Sequence, residues 1–396
     1  MSEWKEYKME ELMEEIAMGP FGSNIKVDCF TDEGIPVLNG SNLVGFKLNE
    51  DSFNYVTKEK ADSLGRSNAY RGDVVITHRG TLGQVVYVPY DSKHERYVIS
   101  QSQFRFKCNK KLVDVPFLVY YFHSREGQYK LLANASQVGV PALARPTSTF
   151  KEIVVTLPSL EEQRRIASIL TSLDDKIDLL RRENATLEAM AETLFRQWFV
   201  VEAKEEWEEG KISDLIEFNP TRKLAKDSIA PFLEMSNLST STYAPTSWYN
   251  RAFSSGTKFQ NGDTLLARIT PCLENGKTAY IDFLNENQIG WGSTEFIVMH
   301  TKQELHPFFS YVIAKYQDFR DYAESCMSGS SGRQRVDVEN LKNYPISIPD
   351  ESAIEQFNIE IETMVSKMCN NNKQIQTLIQ TRDGLLPRLM NGEIRV

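Results

Sequence analysis

Cysteine is scarce in this sequence of 396 residues, and its five copies are scattered along the chain. No two of them lie within three residues of each other: Cys29, Cys108, Cys272, Cys326 and Cys369. This spacing excludes the paired Cys-x-x-Cys patterns of structural zinc sites. An odd, scattered set is typical of reduced thiols, and it favours a cytoplasmic location.

Long apolar runs are absent as well. No stretch approaches the roughly 20 apolar residues that a membrane-spanning helix needs. The segment 1–15 also lacks the apolar core of a secretory signal peptide. We therefore expect neither a membrane span nor a cleaved leader.

Motifs of catalysis are missing too. Residues 276–278 have the sequence that ends a phosphate-binding loop, but Pro271 stands where that motif requires a glycine. Residues 219–221 depart from the Asn-Pro-Pro-aromatic motif of adenine methyltransferases. Neither a His-Glu-x-x-His helix nor a Gly-x-Ser-x-Gly turn occurs. We expect a chain with no catalytic residues, no bound metal and no cofactor of its own.

Basic residues are outnumbered, with 45 Lys and Arg against 54 Asp and Glu, which gives a formal net charge of -9. DNA-binding domains usually carry a basic face, so the total argues against a nucleic-acid partner. However, much of the acid is concentrated in the segments 10–15 and 202–209, and other segments are locally basic. An acidic chain with basic patches suits a protein that needs partners to hold DNA firmly.

The most informative feature that is present is an internal repeat. Five patterns recur in the same order, at separations from 190 (Asp263 against Asp73) to 203 (Trp207 against Trp4). The pairs are Trp4 with Trp207, residues 36–43 with 231–238, Gly72–Asp73 with Gly262–Asp263, Pro116–Phe117 with Pro307–Phe308, and residues 157–163 with 348–356. Such order predicts a duplicated, pseudo-two-fold molecule, which suits a target with two sites.

Each half begins with a mixed segment, 1–158 and 201–349, in which short apolar runs alternate with turn signals. The first is predicted to contain strands at 74–76, 85–88 and 104–106 and a helix at 117–122, with counterparts at 265–266, 296–298 and 307–316. We expect two similar globular domains of the α+β (mixed α/β) class.

Each half then ends in a heptad pattern, at 159–200 and 350–396, which predicts two long helices. Ser159 and Glu162 form a capping-box sequence at the first helix start, and Pro387 is expected to end or kink the second helix. The central seam residues are Leu173, Ile177, Leu180, Asn184 and Leu187, and Met364, Met368, Asn371, Ile375 and Leu378. We expect an antiparallel coiled coil whose register Asn184 and Asn371 fix.

Several loops have the chemistry that DNA recognition needs. Arg and Lys suit guanine and phosphate, Asn and Gln suit adenine, and glycine-rich backbone can approach a phosphate closely. The predicted DNA contacts are Ser23, Asn24, Lys26, His78, Arg79, Thr81, Gln84, Gln137 and Arg145 in the first half, and Arg222, Lys223, Arg268, Thr270, Ser330, Arg333, Gln334 and Arg335 in the second. The run 329–335 corresponds in the repeat to 137–145, and it has the most suitable composition.

The chain resembles the specificity subunits of type I restriction-modification enzymes. Residues 19–23 look like the opening of that family's first target-recognition domain. Residues 157–167 and 194–199 resemble the start and end of its central conserved helix, and residues 385–396 resemble its C-terminus. The start of the second helix, 348–357, lacks the basic pair that follows Gln in the first, which weakens the match there.

The resemblance implies a non-catalytic subunit in which each target-recognition domain reads one half of a bipartite double-stranded DNA sequence. It implies that the helix pair spaces the two domains and docks two methyltransferase subunits, with motor-nuclease subunits joining for restriction. Methyl donor, ATP and magnesium would then belong to those partners.

Two other interpretations remain open. A coiled-coil scaffold with two protein-binding domains would explain the repeat and the helices, but not the Arg-Gln-Arg run or the family-like helix ends. A hidden nuclease or methylase would show activity of the chain alone with metal or methyl donor.

Overall fold

The chain folds as two units of similar architecture, Met1–Lys176 together with Thr377–Val396 (unit 1) and Ile177–Gln376 (unit 2). The structure, a computed structural model, describes residues 4–21, 24–136, 139–302, 304–330 and 332–396. Both units mix strands with helices, and two long helices run from one unit into the other, as the predicted α+β class requires. The four sequence-based domain boundaries stay predictions.

Unit 1 contains thirteen strands within its described residues. They are β1 Lys5–Lys8, β2 Met13–Met18, β3 Phe30–Thr31, β4 Ile35–Val37, β5 Asn54–Val56, β6 Asn68–Tyr70, β7 Asp73–Thr77, β8 Val85–Tyr87, β9 Arg96–Val98, β10 Gln103–Cys108, β11 Ala135–Ser136, β12 Ala142–Leu143 and β13 Val154–Leu157. Its helices are α1 Lys58–Ser63, α2 Val115–His123, α3 Arg125–Leu132, α4 Pro146–Lys151 and the start of α5 Leu160–Arg196, with 3-10 turns at Met9–Leu12, Val27–Cys29, Gly40–Leu43 and Gly65–Ser67.

Two sheets pack on each other in unit 1, with strand orders β2-β10-β7-β8 and β3-β5-β4-β9-β6. Strand β7 is buried on both faces. Val74 and Ile76 pack in the cluster that contains α2, whereas Val75 packs in the cluster that contains strand β9 residue Tyr97. Because side chains alternate along a strand, a continuous apolar run is what a doubly covered strand needs. This explains why the run at 74–76 identified the strand correctly.

Unit 2 repeats this arrangement. Its strands are β14 Glu209–Lys211, β15 Ile216–Phe218, β16 Ile229–Leu233, β17 Tyr249–Ala252, β18 Thr257–Phe259, β19 Asp263–Ala267, β20 Thr278–Tyr280, β21 Gly290–Gly292, β22 Phe296–Thr301, β23 Met327–Ser328, β24 Arg335–Val336 and β25 Pro345–Ser347. Its helices are α6 Ile212–Leu215, α7 Phe309–Lys315, α8 Gln317–Ser325, α9 Val338–Leu341 and most of α10 Glu351–Met390, with a 3-10 turn at Met235–Asn237 and a π-helical turn at Gln197–Val201. The order β15-β22-β19-β20 matches β2-β10-β7-β8 strand for strand.

The repeated Gly-Asp pair closes the same turn in both units. Gly72 and Gly262 have φ angles of +88° and +86°, a region that favours glycine. The carboxylate of Asp73 accepts the backbone N–H of Tyr70 at 3.0 Å, and that of Asp263 accepts the N–H of Gln260 at 2.7 Å. The sequence repeat therefore marks a turn that begins the central strand of each sheet.

The two long helices pair antiparallel, as predicted. Within unit 2, Asn184 of α5 bonds Asn371 of α10, and Trp198 packs on Phe357, so residue numbers rise on one helix as they fall on the other. The seam is formed by residues that are buried or half-buried. The predicted central residues all belong to it: Leu173, Ile177, Leu180, Asn184 and Leu187 on α5, and Met364, Met368, Asn371, Ile375 and Leu378 on α10.

Both long helices begin with a capping side chain, and α10 continues beyond Pro387. Ser159 caps α5 by accepting the backbone N–H of Glu162 at 3.2 Å, an interaction that contributes about 1 kcal/mol. Asp350 does the same for Ala353 at 2.8 Å on α10. Of the two predicted effects of Pro387, an end of α10 is wrong, because the helix continues to Met390, and a kink stays a prediction. A proline there removes one backbone hydrogen bond within the last turn and a half, where helices are already weakly held.

Candidate nucleic-acid interface

In unit 1, three chain segments meet at one edge of the sheet β2-β10-β7-β8. Strands β2 and β7 both end where the antiparallel strand β10 begins, so the loops after them lie side by side. The backbone N–H of Gly19 donates to Gln103 O at 2.8 Å, and that of His78 donates to Ser102 O at 2.8 Å. Because both loops bond the segment 100–103, their side chains are presented on one surface.

The hairpin β11–β12 joins this edge. Gly80 N–H donates to Pro141 O at 2.8 Å, and Leu143 N–H donates to His78 O at 2.9 Å. The hairpin therefore lies beside the loop 78–84 at the same edge of the sheet. Arg145 follows it at φ +46°, in the left-handed region, immediately before α4. This left-handed conformation is uncommon for a residue other than glycine.

Five of the predicted DNA contacts in unit 1 are exposed. They are Asn24, Lys26, Arg79, Thr81 and Arg145. Two more predicted contacts, Ser23 and Gln137, lie outside the described residues. The exposed set combines three cations with two short polar side chains, which is the composition suited to phosphate and base-edge contacts.

The other two predicted contacts in unit 1 are held by protein groups. Gln84 accepts from Thr77 Oγ1 at 2.9 Å and donates to Gly40 O at 2.9 Å, so it ties the two sheets' loops together. His78 lies 3.2 Å from Gln101 O through Nε2, and burial lowers the pKa of its imidazole. A neutral ring contributes no positive charge toward a phosphate.

Unit 2 builds the same edge with equivalent bonds. Arg268 N–H donates to Glu295 O at 3.0 Å, as His78 does to Ser102. Val336 N–H donates to Arg268 O at 2.9 Å, and Thr270 N–H donates to Gln334 O at 3.1 Å, so the hairpin β23–β24 joins the loop after β19. These bonds match 141–143 with 334–336, and the rest of the predicted correspondence between 329–335 and 137–145 stays a prediction.

The arginines of the β23–β24 hairpin differ in their surroundings. Arg333 and Ser330 are exposed and Gln334 is half-buried. The Arg335 guanidinium forms a two-pronged contact with Glu295, from Nε and Nη2 to Oε1 at 3.0 and 2.7 Å. The side chain is still 46% exposed, and the hydrogen bond to Glu295 raises the pKa of Arg335. Arg335 is thus held in a fixed direction, whereas Arg333 is presented at the tip of the hairpin.

Arg222 is engaged inside unit 2. Its Nη2 donates to Asp263 Oδ1, and the two side chains are only 9% and 0% exposed. His300 Nδ1 lies 2.9 Å from the same Asp263 oxygen. This geometry favours a structural role for Arg222 over a DNA contact, while its neighbour Lys223 is exposed.

Two further predicted contacts in unit 2 are half-buried. Arg268 Nη2 donates to Val336 O at 3.2 Å, and its buried Nε has no hydrogen-bond partner among the described residues. Thr270 Oγ1 donates to Glu274 Oε1 at 3.2 Å. Both residues position the hairpin β23–β24 against the loop after β19, and their assignment as DNA contacts stays a prediction.

Sequence reasoning missed the segment that holds each edge together. Residues 100–102 in unit 1 and 293–295 in unit 2 directly precede β10 and β22 and bond the neighbouring segments. Ser100 and Ser102 are absent from the predicted DNA contacts. Their position immediately before an apolar strand is the signal that could have identified them, once the strand order is known.

The described part of the chain contains no group of three His, Cys, Asp or Glu side chains placed to hold a metal ion. Among its described helices, none is long and apolar enough to cross a membrane.

Comparisons with known proteins agree with this geometry. The family model for the "type I restriction modification DNA specificity domain" matches the chain twice, over residues 1–189 and 204–380. The chain is 23% identical over 352 residues to the type I restriction enzyme MjaIX specificity subunit of Methanocaldococcus jannaschii, covering 82% of this chain and 78% of that protein. It is 21% identical, over an alignment of 473 positions, to the HindI specificity subunit of Haemophilus influenzae, with both chains covered fully. The S subunit of a type I restriction-modification system from M. genitalium has the same fold, with a TM-score of 0.58 at 16% identity over 98% of this chain and 96% of that chain.

Proposed function

The chain belongs to the family of type I restriction-modification DNA specificity subunits, and we propose that each of its units reads one half of a bipartite double-stranded DNA sequence. The observation that carries this proposal is the duplicated loop edge. Two sheets of the same strand order present the same three segments, joined by equivalent backbone bonds. Different side chains on the same scaffold would give two different half-sites.

The exposed side chains supply the chemistry of recognition. Arg79 and Arg145 in unit 1 and Arg333 in unit 2 are exposed on these edges, and an arginine can bond guanine through two atoms at once. Lys26 and Lys223 are placed on the loops after the edge strands β2 and β15, where they would contact phosphates. Arg335 is oriented by Glu295 and would act as a directed contact rather than a mobile cation.

The negative net charge of the chain bears on how the subunit would bind DNA. With a net charge of -9, the chain itself gains little from counterion release, which dominates the affinity of most DNA-binding proteins. We infer that its partners, two methyltransferase subunits, enclose the duplex and supply much of that attraction. Catalysis, with methyl donor, ATP and magnesium, would lie in those subunits and in the motor-nuclease subunits, so this chain acts without catalysis of its own.

The helix pair is proposed to set the unspecified gap and to carry the methyltransferase subunits. In unit 2, apolar side chains are exposed on the outside of both helices, with Leu179 at 51%, Met190 at 47% and Ile359 at 64%. These side chains are available for contact with a partner subunit.

The proposal is tested by expressing the chain with its cognate methyltransferase subunit and mapping methyladenine across the host genome. We expect a motif of two short specified halves around a fixed unspecified gap. Replacing residues 201–349 with the same region of a relative should change one half only. If a folded, assembled complex methylates nothing, the proposal is wrong and a protein-binding scaffold becomes the better interpretation.

A further inference from the structure

A chain of polar side chains connects the recognition domain of unit 2 to α10. Tyr243 lies in the loop between β16 and β17 and is only 1% exposed. Its hydroxyl donates to Asp282 Oδ2 at 2.9 Å and accepts from Asn372 Nδ2 at 2.6 Å. Since Asn372 belongs to α10, this tyrosine joins the domain to that helix through a directional contact.

The same series of polar contacts continues from α10 to α5. Asn184 Nδ2 donates to Asn372 Oδ1 at 3.1 Å, and Asn371 Nδ2 donates to Asn184 Oδ1 at 2.8 Å. Asn371 also donates to Glu183 Oε2 at 2.8 Å. Asn184 and Asn371 are 7% and 0% exposed, so the bonds are made away from water. We call Tyr243, Asp282, Asn184, Asn371 and Asn372 the polar junction.

Buried polar groups are costly unless they are bonded, and their bonds require particular distances and angles. Apolar contacts, such as the packing of Tyr243 on Phe308 with ring centroids 6.0 Å apart, have no such directional requirement. A rotated or shifted domain could retain most of its apolar contacts but would leave the polar junction unsatisfied. The junction therefore favours one placement of the domain on the helix pair within unit 2.

We propose that the polar junction positions the second recognition domain and thereby determines the length of the unspecified gap, an inference that rests on the proposed function. One base pair more or less in the gap moves a half-site by about 3.4 Å and turns it by about 35°. Rejecting such a site requires a domain that cannot follow this movement. Tyr243 and Asn372 are positioning residues in this scheme, since their side chains bond each other and Tyr243 also bonds Asp282.

The unit 1 domain is also linked to both helices, through different chemistry. The Tyr120 hydroxyl donates to Asp174 of α5, and Asp174 Oδ1 accepts from Arg382 Nη1 of α10 at 2.7 Å. Arg382 also lies over the Phe46 ring, 4.9 Å from its centroid. A polar link to both helices therefore occurs in each unit, which is what a fixed gap requires.

The test is the double variant Tyr243→Phe with Asn372→Ala, which removes the hydrogen bond between Tyr243 and α10. It leaves in place the Asn184–Asn371 bond and the separate bond from the Tyr311 hydroxyl to Glu188 of α5. Full-length wild-type and variant chains are each expressed with the methyltransferase subunit, and methyladenine is mapped. We expect methylation at sites with a gap one base pair longer or shorter, relative to the native gap, to rise by at least about tenfold, which corresponds to about 1.4 kcal/mol. The specified bases of both halves should not change.

The control is Ile313→Val, a fully buried core position of unit 2 outside the junction. It lowers thermal stability but should leave the gap unchanged. If the folded double variant keeps the wild-type gap discrimination, or methylates nothing, the inference is wrong. If the double variant does not fold, Tyr243→Phe alone is tested by the same criteria. A wild-type complex that methylates no split motif would instead refute the proposed function.

Discussion

Arg222 allows a sharp test of what a recognition-loop arginine does. Its side chain is 9% exposed and pairs with Asp263, whose side chain is fully buried. Arg222→Leu would leave that carboxylate with only His300 and one backbone N–H. Removing one partner of a buried ion pair costs about 3–5 kcal/mol. For a unit of roughly 200 residues, about 2–4 °C is lost per kcal/mol, so we expect the melting temperature of unit 2 to fall by about 6–20 °C.

Lys223→Leu is the matched control, because it removes an exposed cation from the next position. We expect its melting temperature to stay within about 2 °C of wild type, since exposed substitutions rarely change stability by more than about 0.5 kcal/mol. Both variants are followed by thermal melting and by methylation mapping with the partner subunit. If Arg222→Leu melts like the wild type yet loses recognition of one half-site, Arg222 is a DNA contact and the structural role inferred from its burial is wrong.

Three further outcomes are expected. Arg333→Ala should relax specificity in one half of the target, with a loss of about 5- to 150-fold at one base pair, and Arg79→Ala should do so only in the other half; equal effects on both halves would contradict the assignment. Binding of duplex DNA by the isolated chain, measured by fluorescence anisotropy, should be weak and should fall steeply as salt rises from 50 to 200 mM, whereas tight binding that resists salt would contradict the role given to the partners. Burial raises the pKa of Asp73 to about 6, so the folded chain retains a proton that the unfolded chain releases near pH 4. The contribution of this group to stability is therefore greatest below pH 4 and falls by up to about 3 kcal/mol as the pH rises through 6; denaturant titrations should show this slope in the wild type and a flatter curve in Asp73→Asn.

Much of the fold could be predicted because its signals are local. The heptad seams identified α5 and α10, and the repeated Gly72–Asp73 pair marks a turn whose atoms lie within four residues. The meeting of the loops at the sheet edge could not be predicted from such local signals. It depends on the strand order β2-β10-β7-β8, which brings Gly19 beside Gln103 across 84 residues of sequence. Local periodicity predicts a strand but not its neighbour.

The dependence on residues distant in sequence also explains why the structural role of two arginines could not be predicted. Arg222 and Arg335 have the residue type and the loop position of DNA contacts, and nothing near them in sequence shows otherwise. Their carboxylate partners, Asp263 and Glu295, lie 41 and 40 residues away. Whether an arginine is available to a ligand depends on such distant partners, so composition alone could not separate the structural arginines of these loops from the accessible ones.

The two units solve one electrostatic problem differently, and the difference bears on how each loop can vary. Both begin their central strand with a buried aspartate that closes a turn. In unit 1 the compensating cation is Arg105, which lies on strand β10 and bonds Asp73 at 3.3 Å. In unit 2 the cation is Arg222, which belongs to the loop after β15. The loop after β2 can therefore be exchanged without leaving the Asp73 carboxylate unpaired. An exchanged loop after β15 must keep an arginine at position 222, or Asp263 must be substituted as well.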